Sequence, residues 1–190
     1  MNIGLYFGTF NPIHHGHLII ASHVLNATTM NQVWFIVSPQ NPFKNPASLL
    51  NENHRYYMVS EAIKEERLFR ASSVEFKLPR PSYTVDTLAY LSEKYPQHQF
   101  SIIMGSDSFS NLHKWKNYEV IIKNHPILIY ERKGFNVENT IQAKIEILHA
   151  PILDISSTYI RELIREKKSI RFLVPDNVKE EIERNQYYSK

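Results

Sequence analysis

The stretch Gly8-Thr9-Phe10-Asn11-Pro12-Ile13-His14-His15-Gly16-His17-Leu18 concentrates side chains that could handle an anion. A glycine turn opening into a helix offers backbone N–H groups and the positive end of a helix dipole to a phosphate. Gly16, between His14 and His17, lets the backbone come close to a ligand. Both imidazoles can donate hydrogen bonds to phosphate oxygens where charge redistributes in a transition state. The competing readings are an ordinary strand-to-helix turn with surface histidines and a metal site built from His14, His15 and His17. No carboxylate lies nearby, and the spacing is not the helical i, i+4 pair of a zinc protease, so no metal site is expected.

A second anion signal lies near the other end of the chain, in Ile155-Ser156-Ser157-Thr158-Tyr159-Ile160-Arg161-Glu162-Leu163-Ile164. Hydroxyl residues suited to a helix cap precede Ile160, Leu163 and Ile164, which share one helical face. Neither Ser157 nor Thr158 has the Glu or Gln three residues later that a capping box requires. The spacing instead puts Arg161 in the first turn, a cation where the dipole prefers an anion. A bound phosphate would resolve that mismatch; the alternative is a capped helix with a solvated arginine.

Apolar, β-rich runs at Ile3 to Phe7, Val33 to Val37, Ser73 to Phe76, Phe100 to Met104, Ile127 to Tyr130 and Ile145 to Leu148 must position these residues. Helical periodicity separates them: Leu18, Ser22 and Leu25; Tyr56, Val59 and Ile63; Leu88 and Leu91; Tyr118, Ile121 and Ile122. Alternation of this kind predicts an α/β fold, Rossmann-like and doubly wound, with a mostly parallel sheet. The portion from Ser156 onward reads as helical, over Thr158 to Lys167 and Asp176 to Arg184, and Asn41 to Asn53 reads as a long loop. Ligands bind at the carboxyl ends of strands in open parallel sheets. The distinctive polar segments follow predicted strand ends: Gly8 to His17, Pro39 to Lys44, Arg80 to Asp86, Gly105 to Trp115 and Arg132 to Gly134. They are expected to converge on one edge.

The bulk properties narrow the function. At 190 residues, 43% hydrophobic and 22% charged, the chain is expected to form a single domain, 1–190, with a substantial core. A net charge of +3, from 22 basic and 19 acidic residues, provides no strong field for a nucleic-acid polymer. No apolar run reaches the roughly 20 residues of a membrane span, and the segment after Met1 lacks the basic region and cleavage site of a signal peptide. The absence of cysteine excludes thiol chemistry and agrees with the expected cytoplasmic location.

The first segment resembles the His-x-Gly-His signature of the nucleotidyltransferase superfamily, and Ser156 with Arg161 five residues on resembles its second signature. Phe7 and Asn11 depart from the superfamily pattern, which often has glycine and aspartate at those places. The resemblance implies a Rossmann-like sheet and nucleotidyl transfer with loss of pyrophosphate. It places Gly8, Thr9, Phe10, His14 and His17 along the nucleotide, and Ser156, Thr158 and Arg161 on the triphosphate. His14, His17 and Arg161 are implied to serve the chemical step. Pro39 to Lys44, Ser82 to Leu88, and Gly105-Ser106-Asp107 with Leu112 and Trp115 further resemble the bacterial nicotinate mononucleotide adenylyltransferases. That resemblance implies stacking of Trp115 on the pyridine ring, with Thr84 and the backbone after Trp115 on the ring carboxylate. It also implies Gly105 in the ATP site, Asp107 on ribose hydroxyls and Lys44 on a phosphate. Each has a plain alternative: a core tryptophan, a helix cap, a turn residue, a solvated lysine.

The expected reaction is attack by a phosphate of nicotinate mononucleotide on the α-phosphorus of ATP, with Mg²⁺ carried by the ATP phosphates. The expected partners are those two nucleotides, with no nucleic-acid polymer and no membrane; homo-oligomerisation is left open. Rival readings are a phosphopantetheine acceptor, a CTP-dependent enzyme acting on a sugar or polyol phosphate, and a nucleotide-binding module without turnover.

Overall fold

A computed structural model describes residues 1–40, 49–151 and 154–189. Its elements run β1 (Asn2–Gly8), α1 (His15–Ala27), β2 (Gln32–Val37), α2 (Glu52–Ile63), β3 (Phe69–Ser72), α3 (Thr84–Lys94), β4 (Gln99–Gly105), α4 (Ser106–Phe109), α5 (Tyr118–Asn124), β5 (Ile127–Tyr130), β6 (Ile145–Leu148), α6 (Ser157–Arg165) and α7 (Asp176–Asn185). The six strands form one sheet in the order β3-β2-β1-β4-β5-β6, and every pairing is parallel. This is the expected doubly wound α/β fold with a helical C-terminal portion. The chain reverses its direction of winding between β1 and β4, so the crevice beyond their carboxyl ends is where a ligand belongs.

Period-two alternation divides the core into two layers. Tyr6, Val33, Phe35, Val37, Leu128 and Tyr130 face the layer that includes α1, α2, α6 and α7, with Ala21, Val24, Met58, Val59, Ile160 and Ile182. Ile3, Leu5, Trp34, Ile36, Ile127 and Ile129 face the other layer, with Leu88, Leu91 and Ile121. Strands buried on both faces carry near-continuous apolar runs, which is why they stand out in sequence.

Three expectations need correction. The third strand is Phe69–Ser72, and Ser73 to Phe76, expected as strand, falls mostly in a 3₁₀ turn over Val74–Lys77. Its turn carries the Glu75 carboxylate inward to the hydroxyls of Ser82 and Thr87, both 2.9 Å away, which an edge strand continuing past Ser72 would not do. The loop expected to run through Asn53 ends earlier, because Asn51 caps α2 by accepting a hydrogen bond from the Asn53 amide at 2.9 Å. Helix α6 is capped by Ser156, whose hydroxyl accepts from the Tyr159 amide at 3.1 Å. Arg161 is therefore the fifth helical residue, in the second turn rather than the first.

Candidate active site

Between β1 and α1 the chain makes a tight turn in which Phe10, buried at 2% exposure, takes a left-handed conformation (φ 44°). His14 is the extended residue before α1, and its amide donates to His17 Nδ1 at 3.3 Å. A neutral His17 ring then carries its proton on Nε2, the nitrogen able to donate. The two imidazoles stack with centroids 3.7 Å apart and planes 28° apart. Phe10 and Tyr6 pack edge-on against His17 at 5.0 and 5.9 Å. A side chain at Gly16 would put its Cβ 3.0 Å from His14 Nδ1, so glycine is what lets that ring lie against the helix start. Burial, reinforced by the charge of Arg132 and by His15, pulls the His14 pKa down to about 3. His14 is thus a neutral donor at physiological pH, and not an acid that titrates there.

The two chain ends with anion signals meet here. Ser157 donates its hydroxyl to Pro12 O at 2.9 Å, and Arg161 donates Nη1 to Asn11 O at 2.8 Å and Nη2 to Thr158 Oγ1 at 3.3 Å. Arg161 Nε is buried without a hydrogen-bond partner among the described residues, a donor placed for an anion. Burial lowers the Arg161 pKa without threatening its charge. Ser156 Oγ accepts the cap bond and keeps its own proton to donate. Gly8, Thr9, Phe10, His14, His17, Asp107, Ser156, Thr158 and Arg161 line one cavity of about 390 Å³.

Asp107 lies in α4, directly after β4, and its Oδ1 is 3.3 Å from Arg132 Nε, an ion pair out of line for a hydrogen bond. The carboxylate keeps acceptor capacity for ribose hydroxyls. A Cβ at Gly105 would clash with Asp107 Oδ1 and stand 3.0 Å from Arg132 Nε, so a side chain there would push this pair aside. Gly105 itself lines the neighbouring cavity, on the acceptor side, rather than the phosphate cavity.

That cavity, of about 450 Å³, is bounded by Thr84, Trp115 and Lys116, and it shares Tyr6, Gly8, Thr9 and Tyr130 with the phosphate cavity. Trp115 is half-buried, packing partly against the core while lining this cavity. The Trp115 amide is bonded to Leu112 O at 2.9 Å, which makes the Lys116 amide the next backbone donor. Thr84 is the first residue of α3, and its predecessor Tyr83 makes no side-chain cap bond. Lys44 lies outside the described residues. A larger cavity of about 780 Å³ opens around His98 and His125 at the amino ends of the strands and holds none of these residues. The carboxyl-end pair is the site the topology favours.

Arg55 and Glu75 escape the sequence reading as site components, and Arg132 enters it only as part of the polar segment Arg132 to Gly134. Arg132, past the end of β5, donates its amide to Ser106 Oγ at 2.9 Å and Nη2 to Tyr130 OH at 3.3 Å. Arg55 is fully buried and grips the carbonyls of Thr9, Ser38, Pro39 and Leu50, tying the turn after β1 to the segment after β2. Its signal was available: Arg55 precedes Met58 and Val59 at helical spacing, a cation on the apolar stripe of α2. Glu75, 2% exposed, lines the Trp115 cavity, and burial raises its pKa against the opposing effect of hydroxyl hydrogen bonds.

A parallel sheet wound in two directions, with stacked imidazoles and an arginine around a cavity of about 390 Å³ at its switch point, defines a nucleotidyl-transferring α/β domain. Residues 5–163 match the cytidylyltransferase-like family. The chain is 50% identical to a probable nicotinate-nucleotide adenylyltransferase of Flavobacterium johnsoniae over 193 residues, covering 100% of both. It is 49% identical to one of Cytophaga hutchinsonii, covering 100% of this chain and 99% of the relative. The nicotinic acid mononucleotide adenylyltransferase of Plasmodium falciparum complexed with NaAD shares the fold, with a TM-score of 0.83 at 20% identity over 98% of this chain and 97% of that one. The chain belongs to the nicotinate-nucleotide adenylyltransferases, within the cytidylyltransferase-like family.

Proposed function

We propose that the protein transfers the adenylyl group of ATP to nicotinate mononucleotide, yielding nicotinate adenine dinucleotide and pyrophosphate. The observation that carries this is the pair of cavities sharing one wall, the Gly8–Thr9 turn: a phosphate cavity with His14, His17 and Arg161 and a ring-sized cavity with Trp115. The α-phosphorus would sit at that wall, between triphosphate and acceptor. A phosphate oxygen of the mononucleotide forms a bond to it as the bond to the β-phosphate oxygen breaks, and pyrophosphate leaves. The attacking oxygen is already anionic, so positioning and charge stabilisation carry the reaction and no general base is needed. His17 Nε2 and the neutral His14 donate to phosphate oxygens, Arg161 and the Ser156 and Thr158 hydroxyls grip the triphosphate, and Asp107 accepts from ribose. Trp115 stacks on the pyridine ring while Thr84 and the Lys116 amide meet its carboxylate; Lys44 is assigned to the acceptor phosphate.

Mg²⁺ belongs to this reading as an ion carried by the triphosphate, where it would neutralise charge on the leaving pyrophosphate. The donor set fits that role: the cavity is lined by imidazole, hydroxyl and guanidinium donors suited to phosphate oxygens, with Asp107, paired with Arg132, as a carboxylate beside them. The reading is of a cytoplasmic enzyme with small-molecule partners; among the described residues no helix is long and apolar enough to cross a membrane.

Pyrophosphate release measured with ATP or CTP against nicotinate mononucleotide, its amide, phosphopantetheine and a polyol phosphate tests the assignment. The expected result is turnover with ATP and the acid mononucleotide. Preference for another donor or acceptor, or binding without release, would replace it.

A further inference from the structure

We propose that Glu75 is a positioning residue for the acceptor, acting through the hydroxyls of Ser82 and Thr87 to hold Tyr83 and Thr84 at the mouth of the Trp115 cavity. The inference rests on the proposed function and assigns a job to a buried acid that the reaction itself does not use.

Glu75 sits in the 3₁₀ turn Val74–Lys77, just past β3, with 2% of its surface exposed. Its Oε2 accepts from Ser82 Oγ at 2.9 Å and its Oε1 from Thr87 Oγ1 at 2.9 Å; the Ser38 hydroxyl is a third donor. No cation pairs with it among the described residues. Removing a carboxylate from water is expensive, and neutral hydroxyls offset that only in part, so a well-packed apolar side chain would serve the core at less cost. What the acid supplies is geometry. Its two oxygens hold residues on either side of Tyr83 and Thr84, and Thr87 Oγ1 also reaches Tyr83 O at 3.3 Å. Position 84 is thereby fixed from both flanks, against the same cavity as Trp115 and Lys116. None of these bonds involves His14, His17 or Arg161, so the constraint acts on the acceptor side and leaves the phosphate side alone.

The test compares Glu75→Ala and Glu75→Gln with the unmodified enzyme, reading KM for each substrate separately along with kcat. Loss of a charge-assisted hydrogen-bond pair is expected to raise KM for nicotinate mononucleotide about tenfold or more in Glu75→Ala, with ATP KM and kcat within about twofold. Glu75→Gln, which keeps the volume and one acceptor, should lie between, and Ser82→Ala should move in the same direction. The ratio of kcat/KM for acid over amide should fall with them. Equal rises in both KM values, a loss confined to kcat that follows the unfolded fraction in urea melts, or no change would overturn the proposal. Titration of tryptophan fluorescence with nicotinate mononucleotide separates it from the reading beneath it. If the unmodified protein binds the mononucleotide and Glu75→Ala binds it equally well, the role of Glu75 falls alone; if the unmodified protein neither binds nor turns it over, both fall.

Discussion

The phosphate side and the acceptor side of the site are built differently. The phosphate side is one continuous turn, Gly8 to His17, closed by one helix start: imidazoles stacked at 3.7 Å, Ser157 bonded to Pro12, Arg161 bonded to Asn11. Its groups are fixed before any ligand arrives, as transition-state stabilisation demands. The acceptor side is assembled from separated stretches, Ser82 to Thr84, Gly105 to Ser108 and Trp115 to Lys116, with a buried acid behind them. A transfer reaction shared by a whole class needs the first kind of construction. The choice of acceptor needs walls that can be exchanged one loop at a time.

The difference can be broken most directly at His17. His17→Ala is expected to lower kcat by about 10²–10³, roughly 2.7–4 kcal/mol, with a much smaller effect on ATP KM, because a donor aimed at developing charge acts in the transition state. Near-normal kcat at saturating substrates would remove His17 from the chemistry.

The next effect is on stability, where the two sides respond to acid in opposite directions. His14 titrates at about 3 when folded and at 6.5 when unfolded, so between those values the unfolded chain binds more protons. Its contribution is complete above pH 6.5 and is lost as pH falls toward 3. Between pH 7 and 4.5 the loss should be roughly 2–3 kcal/mol. Glu75 has the opposite sign: its folded pKa is raised, so its contribution is lost as pH rises through that value. Urea melts of the unmodified protein and His14→Gln at the two pH values measure the His14 share; parallel losses in both would mean that acid acts elsewhere.

The same contrast governs what the sequence makes visible. The phosphate motif is contiguous and could be read with its chemistry, and the two-sided burial of the inner strands made them legible to within a residue or two. The edge strand was displaced because Arg70 interrupts its apolar run; in the fold that guanidinium lies 4.5 Å from the Trp34 ring, a contact across strands that local pattern does not carry. Arg132 stands in a polar segment expected at the ligand edge, but its role there is not legible in sequence because its partners Asp107 and Ser106 are remote in the chain and adjacent only through β4–β5 pairing. The turn that holds Arg161 is ambiguous in sequence because three successive hydroxyl residues could each be the cap, and only the Ser156–Tyr159 bond decides.

On the phosphate side a smaller effect is expected from Arg161→Ala, which should mainly raise ATP KM, by about tenfold to a hundredfold, since charged hydrogen bonds contribute about 1.5–3 kcal/mol. In its proposed role the guanidinium grips the triphosphate in ground and transition states alike, so kcat should move less. Unchanged ATP kinetics in a folded variant would return Arg161 to a purely structural role, bridging Asn11 and Thr158.

The smallest effect belongs to Trp115, and it sharpens the division within the acceptor side. A stacked ring contributes about 0.5–1.5 kcal/mol beyond the area it buries, and it stacks on the pyridine of acid and amide alike. Trp115→Ala should therefore weaken both mononucleotides by a similar factor, about three- to tenfold in kcat/KM. The predicted preference for the acid should survive, because the proposed assignment rests it on Thr84 and the Lys116 amide: an amide substrate would turn an N–H toward donors and leave one unpaired, at about 1–3 kcal/mol. Trp115 packs only partly against the core, so the variant should fold, and any stability loss would appear in kcat for both substrates together. Parallel kcat/KM measurements on acid and amide decide the matter. A collapse of the acid preference in Trp115→Ala would mean that the indole, and not the start of α3, sets the position of the substrate carboxylate.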